Sequence, residues 1–351
     1  MRPVPSGPVY VLGLPFWKRR WARRFLQGAV LRFVDSPKCL RGMPNLTVAV
    51  WGMDFPDDVF PEGARVLRLE DGFLRSKGLG AAFVPPVSWI VDSLGIHFDA
   101  SKPSDLEEIL AQGKFDEDTL SRAANLRAAL VVSGLTKYNV GDSQWQRPVG
   151  EKTVILVPGQ VESDAAILHG CPGIRTNMDL LQTVRRENPE AFVLYKPHPD
   201  VVAGFRSKGH GEGEVRLYCD EVLLDIPMGE LLKQVDEVHT LTSLAGFEAL
   251  LRGRKVVTYG IPFYAGWGLT LDRIPTSRRK RRLSLDELVA GALIAYPVYC
   301  SMETGRPCEP EATLHELQNW DSLNQRFGYT YFEGMLGHLK RLLGRVLATR
   351  G

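Results

Sequence analysis

The sequence has no run of about 18 apolar residues, so no segment is expected to cross a bilayer as a helix. The apolar run near the start, within MRPVPSGPVYVLGLPFW, is too short for a secretory signal. Cysteine is sparse: Cys39, Cys171, Cys219, Cys300 and Cys308 are scattered, odd in number and contain no CxxC pair. That excludes a disulfide framework or a zinc knuckle, and a reducing cytoplasm is expected. Charge of one sign is also lacking, because 43 Lys+Arg against 41 Asp+Glu leave a net +2. A nucleic-acid binder would carry a larger basic excess, so no nucleic-acid partner is expected. No GxxxxGK[ST], HExxH or GxSxG occurs, which removes the P-loop, zinc-protease and hydrolase-elbow chemistries.

What is present is a 351-residue chain, 44% hydrophobic and 24% charged, enough for two ordinary α/β domains. Strand-like runs at Val9–Leu12, Leu46–Trp51, Ala64–Leu69 and Val87–Val91 precede a helical pattern from Ser104 to Val132. Ser104 with Glu107 reads as a capping box. Asp142 to Glu151 is polar and aperiodic, a linker between domains. A second set follows, with strands at Thr153–Val157, Ala191–Tyr195, Glu237–Thr240 and Lys255–Tyr259, and helices at Asn177–Arg186, Met228–Lys233, Leu244–Leu251 and Ser284–Ile294. Strands alternating with helices predict βαβ units with parallel sheets. The expected division is 1–145, 150–305 and a helical segment 306–351 that packs back on the first domain. The basic amphipathic stretch Phe332–Arg350 either packs there or lies on an anionic membrane. The run Arg278–Arg282 reads as a solvated loop, with phospholipid head groups as the sharper alternative.

In open parallel sheets ligands bind at the carboxyl ends of strands. Four such ends are polar here: Glu70-Asp71-Gly72-Phe73-Leu74-Arg75, Pro158-Gly159-Gln160-Val161-Glu162-Ser163-Asp164, Lys196-Pro197-His198-Pro199-Asp200 and His239-Thr240-Leu241-Thr242-Ser243. Two prolines fix the backbone around His198. Hydroxyls and amides at the start of the Leu244 helix suit a phosphate. By themselves these features predict a phosphate-containing ligand in a cleft. Asp116-Glu117-Asp118 reads as a helix N-terminus rather than a metal-binding DxD. Gly78-Leu79-Gly80 reads as a loop, not a dinucleotide fingerprint. His239, Tyr264 and Trp267 read first as packing, with donor contacts as the alternative.

The segments RLEDGFLRSKGLG (68–80), KPSDLEEIL (102–110), LTKYN (135–139), VPGQVESDAAI (157–167), LYKPHPDV (194–201), DEVHTLTSLAGFEALLRG (236–253) and YGIPFYAGWGLT (259–270) resemble the KpsC-type capsule proteins. Those are retaining β-Kdo glycosyltransferases, and the wording is nearest their second, C-terminal module. The resemblance implies a GT-B-like α/β fold of two Rossmann-like domains facing across a cleft. It also implies a CMP-β-Kdo donor, a phosphatidylglycerol-linked Kdo acceptor, no cofactor or metal, capsule assembly proteins as partners, and a place on the inner membrane's cytoplasmic surface. It makes Asp164 the nucleophile of a double displacement, Glu70 the general base and His198 a protonated partner of the leaving phosphate. Lys196, Thr242 and Ser243 would bind phosphate, and Glu248 the ribose. Gln160 would orient Asp164 or bind the Kdo carboxylate, which Arg75 could also take, with Asp71 beside it as a further substrate contact. Glu162 and Asp200 are competing nucleophile candidates. A 2→7 linkage is favoured over 2→4. An inverting CMP-sialic acid transferase and a non-catalytic module that binds the lipid-linked primer are the alternatives.

Overall fold

A computed structural model describes residues 7–78, 84–137, 140–150 and 152–327. Part of the glycine loop after Gly78, Tyr138 and Asn139 of LTKYN, and the stretch Phe332–Arg350 lie outside the described residues.

The strands form two sheets. The first half contributes β1 (Pro8–Leu12), β2 (Val30–Val34), β3 (Thr47–Trp51), β4 (Arg65–Asp71) and β5 (Ser88–Asp92). The second contributes β6 (Val154–Pro158), β7 (Phe192–Lys196), β8 (Glu221–Val222), β9 (Glu237–Thr240), β10 (Lys255–Thr258) and β11 (Leu271–Asp272). The chain then returns to the first sheet as β12 (Pro297–Cys300) and β13 (Pro307–Cys308). The orders are β13-β12-β5-β4-β3-β1-β2 and β11-β10-β9-β6-β7-β8. Pro297–Cys300, expected to end the second domain, thus pairs with Ser88–Ile90 of the first.

Every pairing in the second sheet is parallel. The first sheet departs from the parallel expectation, because β5 runs antiparallel to β4 and to β12. A parallel neighbour needs a crossover, usually a helix, and no helix lies between Asp71 and Ser88 among the described residues.

The helices are α1 (Arg19–Phe25), α2 (Asp105–Gln112), α3 (Glu117–Ser133), α4 (Ala165–Gly170), α5 (Asn177–Glu187), α6 (Pro199–Val202), α7 (Met228–Gln234), α8 (Leu244–Leu251), α9 (Leu285–Val289), α10 (Pro310–Gln318) and α11 (Trp320–Phe327). Local chemistry sets their ends. The 104–132 pattern splits after Gln112, where Asp116 caps a new helix by accepting the Thr119 N–H at 2.8 Å, and Gly134 closes it at φ 68°. Ser104 caps α2, but Glu107 does not complete the expected box. Ser284 and Glu287 do form one at α9.

Alternate residues of each strand enter different cores. Val9 and Val11 pack with Trp21, Phe25 and Trp89 on one face of the first sheet, and Leu12 with Leu40, Val48 and Val50 on the other. In the second sheet Ile155 and Val157 face α5, whereas Val154 and Leu156 face the largest core. That core is shared between the two halves: Phe73, Ile90 and Leu126 join Phe247, Phe263 and Trp267.

The Arg278–Arg282 run is solvated in part: Arg278, Lys280 and Arg282 are exposed, whereas Arg279 is buried. Arg278 and Arg279 both engage the Glu107 carboxylate, at 2.7 and 3.0 Å. Arg279 also donates to the Pro262 and Ala265 carbonyls, and Arg281 to those of Leu110 and Gly113 and to Glu287. Glu107 is consumed by this inter-domain clamp, which is why its capping role is absent.

Candidate active site

The polar strand ends converge on the seam between the two sheets. Gly159 allows the closest approach there. A Cβ on it would stand 2.6 Å from the Tyr195 hydroxyl and 3.2 Å from the Pro197 Cα, so β6 and β7 deliver their loops side by side only with glycine at 159.

Beyond Gly159 the loop separates two acids. Glu162 accepts backbone N–H bonds from Asn177 and His210 at 2.8 and 2.9 Å, fixing the start of α5. Asp164 sits at the start of α4 without capping it, half exposed, with Arg206 3.1 Å from one carboxylate oxygen. Burial pushes its pKa up, against the pull of Arg206 and Lys137. Of these two, Glu162 is committed to backbone N–H groups, whereas Asp164 meets a side-chain cation.

Gln160 spans two strand ends. Its carbonyl accepts the Thr242 N–H at 2.9 Å and its amide donates to the Thr242 hydroxyl at 3.1 Å, while Thr242 donates to Ala166. Both side chains are therefore employed in holding the Asp164 loop against the end of β9. Ser243 caps α8 by accepting the Ala245 N–H. Glu248, one turn further, is buried and accepts the Lys137 backbone N–H at 2.7 Å; burial raises its pKa to about 7.

His198 begins α6, with Pro199 pre-setting the first helical φ. Its Nδ1 accepts the Asp200 N–H at 3.1 Å. Burial, with Lys137 and Arg206 nearby, lowers its pKa to about 3. The protonated imidazole expected from the sequence is thus disfavoured by this setting. The neutral ring with Nδ1 as acceptor carries its proton on Nε2, still a donor for a phosphate oxygen. Lys196 is buried, which lowers its pKa to about 8 against the pull of Asp225.

The first sheet supplies the other wall. Glu70 is the penultimate residue of β4, and its carboxylate accepts the Asp71 N–H at 2.8 Å. Burial and then the neighbouring Asp71 raise its pKa. Asp71 is itself opposed by burial but held well below the usual carboxylate range by Arg75 (2.9 Å) and Lys18 (3.3 Å). The Arg75 fork is deeply buried and already engaged with Asp71. It is therefore not an open fork for a ligand carboxylate, since Ser76 and the Val84 carbonyl take its remaining N–H groups.

Two cations of this cleft were not singled out by sequence reasoning: Arg206, from the loop after α6, and Lys137. The Lys137 charge acts on Glu70, Asp71, Asp164, His198, Asp200 and Glu248, so one ammonium is within electrostatic reach of groups from both sheets. Lys137 lay within a quoted motif, but a lone basic residue after a helix carries no signature of its own. Asp200 is half-buried and burial raises its pKa. His239 is buried between Tyr259 (3.2 Å) and Glu237 (3.0 Å). Tyr264 and Trp267 are fully buried and bonded to the Ser243 and Phe263 carbonyls. These three are packing residues and offer no ring for stacking. Among the described residues no three His, Cys, Asp or Glu side chains are grouped to hold a metal ion.

Two Rossmann-like domains with polar strand ends meeting across a seam define a GT-B-like fold. Residues 59–301 match the family described as capsule polysaccharide biosynthesis protein, and the chain belongs to that family. It is 43% identical over 347 residues to the capsule polysaccharide modification protein LipA of Neisseria meningitidis serogroup B, covering 96% of this chain and 49% of LipA. It is 48% identical over 254 residues to the lipopolysaccharide-processing protein LpsZ of Rhizobium meliloti, covering 71% of this chain and 58% of LpsZ. The chain thus spans about half the length of the curated relatives it matches. Among solved structures it resembles Thermosulfurimonas dismutans KpsC, beta Kdo 2,7 transferase, with 40% identity, a TM-score of 0.76, and coverage of 90% of this chain and 99% of that one. For the beta Kdo 2,4 transferase of the same protein the values are 32%, 0.76, 89% and 98%. Among the described residues no helix is long and apolar enough to cross a membrane.

Proposed function

We propose that this chain is a retaining β-Kdo transferase of capsule synthesis, using CMP-β-Kdo and a lipid-linked Kdo acceptor at the cytoplasmic face of the inner membrane. The observation that carries the reading is that the Lys137 charge acts on both Glu70 and Asp164, from opposite sheets, in a fold shared with Kdo transferases. The higher identity to the 2,7 transferase favours that linkage over 2→4.

In the first displacement an Asp164 oxygen bonds to the anomeric carbon as the carbon–oxygen bond to CMP breaks, and the electron pair leaves on the phosphate. Arg206 holds Asp164 Oδ1, which leaves Oδ2 to attack. The departing phosphate accepts hydrogen bonds from His198 Nε2–H and Lys196, with the Ser243 end of α8 as a third positive pole. In the second displacement Glu70 takes the proton of the acceptor hydroxyl. That oxygen bonds to the anomeric carbon and releases the Asp164 carboxylate. Two inversions give net retention. Gln160 and Thr242 set the loop that aims Asp164. Asp71 and Arg75 set Glu70. Glu248 holds Lys137 through its backbone. No step in this scheme requires a metal.

Asp164→Asn is expected to lower transfer from CMP-Kdo at least about 1000-fold while leaving CMP affinity within about twofold, because the amide keeps the shape but not the nucleophile. Unimpaired turnover by this variant, or turnover of CMP-sialic acid in place of CMP-Kdo, would sink the reading. Equal binding without turnover in the wild type would leave a non-catalytic module.

A further inference from the structure

Charge is segregated along this chain. Residues 1–50 hold nine Lys and Arg and a single acid, Asp35, so the other 301 residues hold 34 basic against 40 acidic side chains. Four of those cations, Arg19, Arg20, Arg23 and Arg24, lie on α1, whose buried side is Trp21, Ala22 and Phe25. Arg20 and Arg23 are exposed. The guanidinium groups are laid against aromatic rings: Arg19 and Arg23 over Phe33 at 5.1 and 5.0 Å, Arg20 and Arg24 over Trp21 at 4.6 and 4.9 Å. Beside them Phe16 projects into solvent, 84% exposed. Asp35 meets Arg19 at 3.4 Å.

This surface adjoins the cleft. The turn Phe16–Lys18 follows the carboxyl end of β1, the same sheet edge at which β4 presents Glu70, and Lys18 is bonded to Asp71 next to Glu70. An exposed aromatic ringed by arginines, on a chain otherwise net acidic, matches an anionic plane with an apolar layer beneath it. A soluble polyanion would use the arginines but leave Phe16 in water.

We propose that the α1 face, with Phe16 as its apolar insertion, docks this protein on an anionic phospholipid surface and so turns the Glu70 wall of the cleft toward the membrane. The proposal deepens the transferase reading, since it names the surface on which a lipid-linked acceptor would be met. The cations act at the head-group level and Phe16 inserts below it. The net acidic remainder is repelled, which fixes the orientation.

The test is co-sedimentation of the full chain with phosphatidylcholine vesicles prepared with and without phosphatidylglycerol. Binding is expected only when phosphatidylglycerol is present. Arg20→Gln with Arg23→Gln should weaken it about 30-fold, and Phe16→Ser about tenfold at unchanged charge. Both variants should transfer Kdo to a lipid-free acceptor at the wild-type rate. Equal binding to both vesicle types, or unchanged binding by the variants, would overturn the proposal. Loss of transfer to the lipid-free acceptor would overturn it too, by assigning the arginines to the acceptor saccharide. Phosphatidylglycerol-dependent, variant-sensitive binding by a protein that transfers no Kdo would support the docking surface and refute the transferase reading.

Discussion

A carboxylate, an imidazole and an ammonium in this cleft are all displaced from their ordinary titration ranges, mainly by burial, and the displacements have kinetic consequences. Lys196 is lowered to about 8, so its positive charge is present below that pH and lost as pH rises through it. The donor KM is therefore expected to rise above about pH 8, and Lys196→Ala to flatten that limb at a higher KM throughout. Glu70 is raised by burial and Asp71, so base catalysis should fail as pH drops through a value above the ordinary carboxylate range. His198, lowered to about 3, should add no inflection near neutrality. A kcat and KM profile between acid and pH 10 checks all three, and an inflection near 6.5 that vanishes in His198→Gln would restore a titrating imidazole. At this scale the strand-end placement of Glu70, Asp164 and His198 was legible, because each stands in a polar motif that closes an apolar run. The protonation of His198 was not legible, since it depends on burial and on the Lys137 and Arg206 charges beside it. Nor were the partners of Gln160 and Arg75, which are set by contacts across loops.

Elements were legible where pattern and caps agree. β6 and β7 read as near-continuous apolar runs because both faces are buried, and the helices at Asn177 and Leu244 read from their periodicity. β2 was hidden in the basic stretch because an edge strand with an exposed side has no apolar run, and β8, β11 and β13 are two residues each. The Glu107 partner of Arg278 and Arg279 was not legible because it is more than 170 residues distant. That clamp gives a prediction at the element scale. Glu107→Gln leaves Arg279 buried without its counter-charge and frees the seam between α2 and the second domain, so unfolding free energy should fall by about 3 kcal/mol in a denaturant titration. A change below about 0.5 kcal/mol would mean that the pair contributes little beyond the carbonyl bonds Arg279 already makes.

At the scale of the molecule, the two sheets are coupled by a shared apolar core, by the Glu107 clamp, and by a chain that returns to the first sheet as β12 after completing the second. The return was not legible, because Pro297–Cys300 carries nothing that distinguishes one sheet edge from another. The α/β class and the two-domain cleft were, since they follow from strand–helix alternation and from motifs that the structure sets on facing edges. In the proposed mechanism this coupling lets Glu70 on one sheet and Asp164 on the other serve one sugar. The most direct test separates the two displacements. Glu70→Gln, incubated with CMP-Kdo and no acceptor, should gain the mass of one Kdo residue, located by peptide digestion on Asp164. An unmodified Glu70→Gln protein, alongside wild-type transfer from the same donor, would contradict the double displacement.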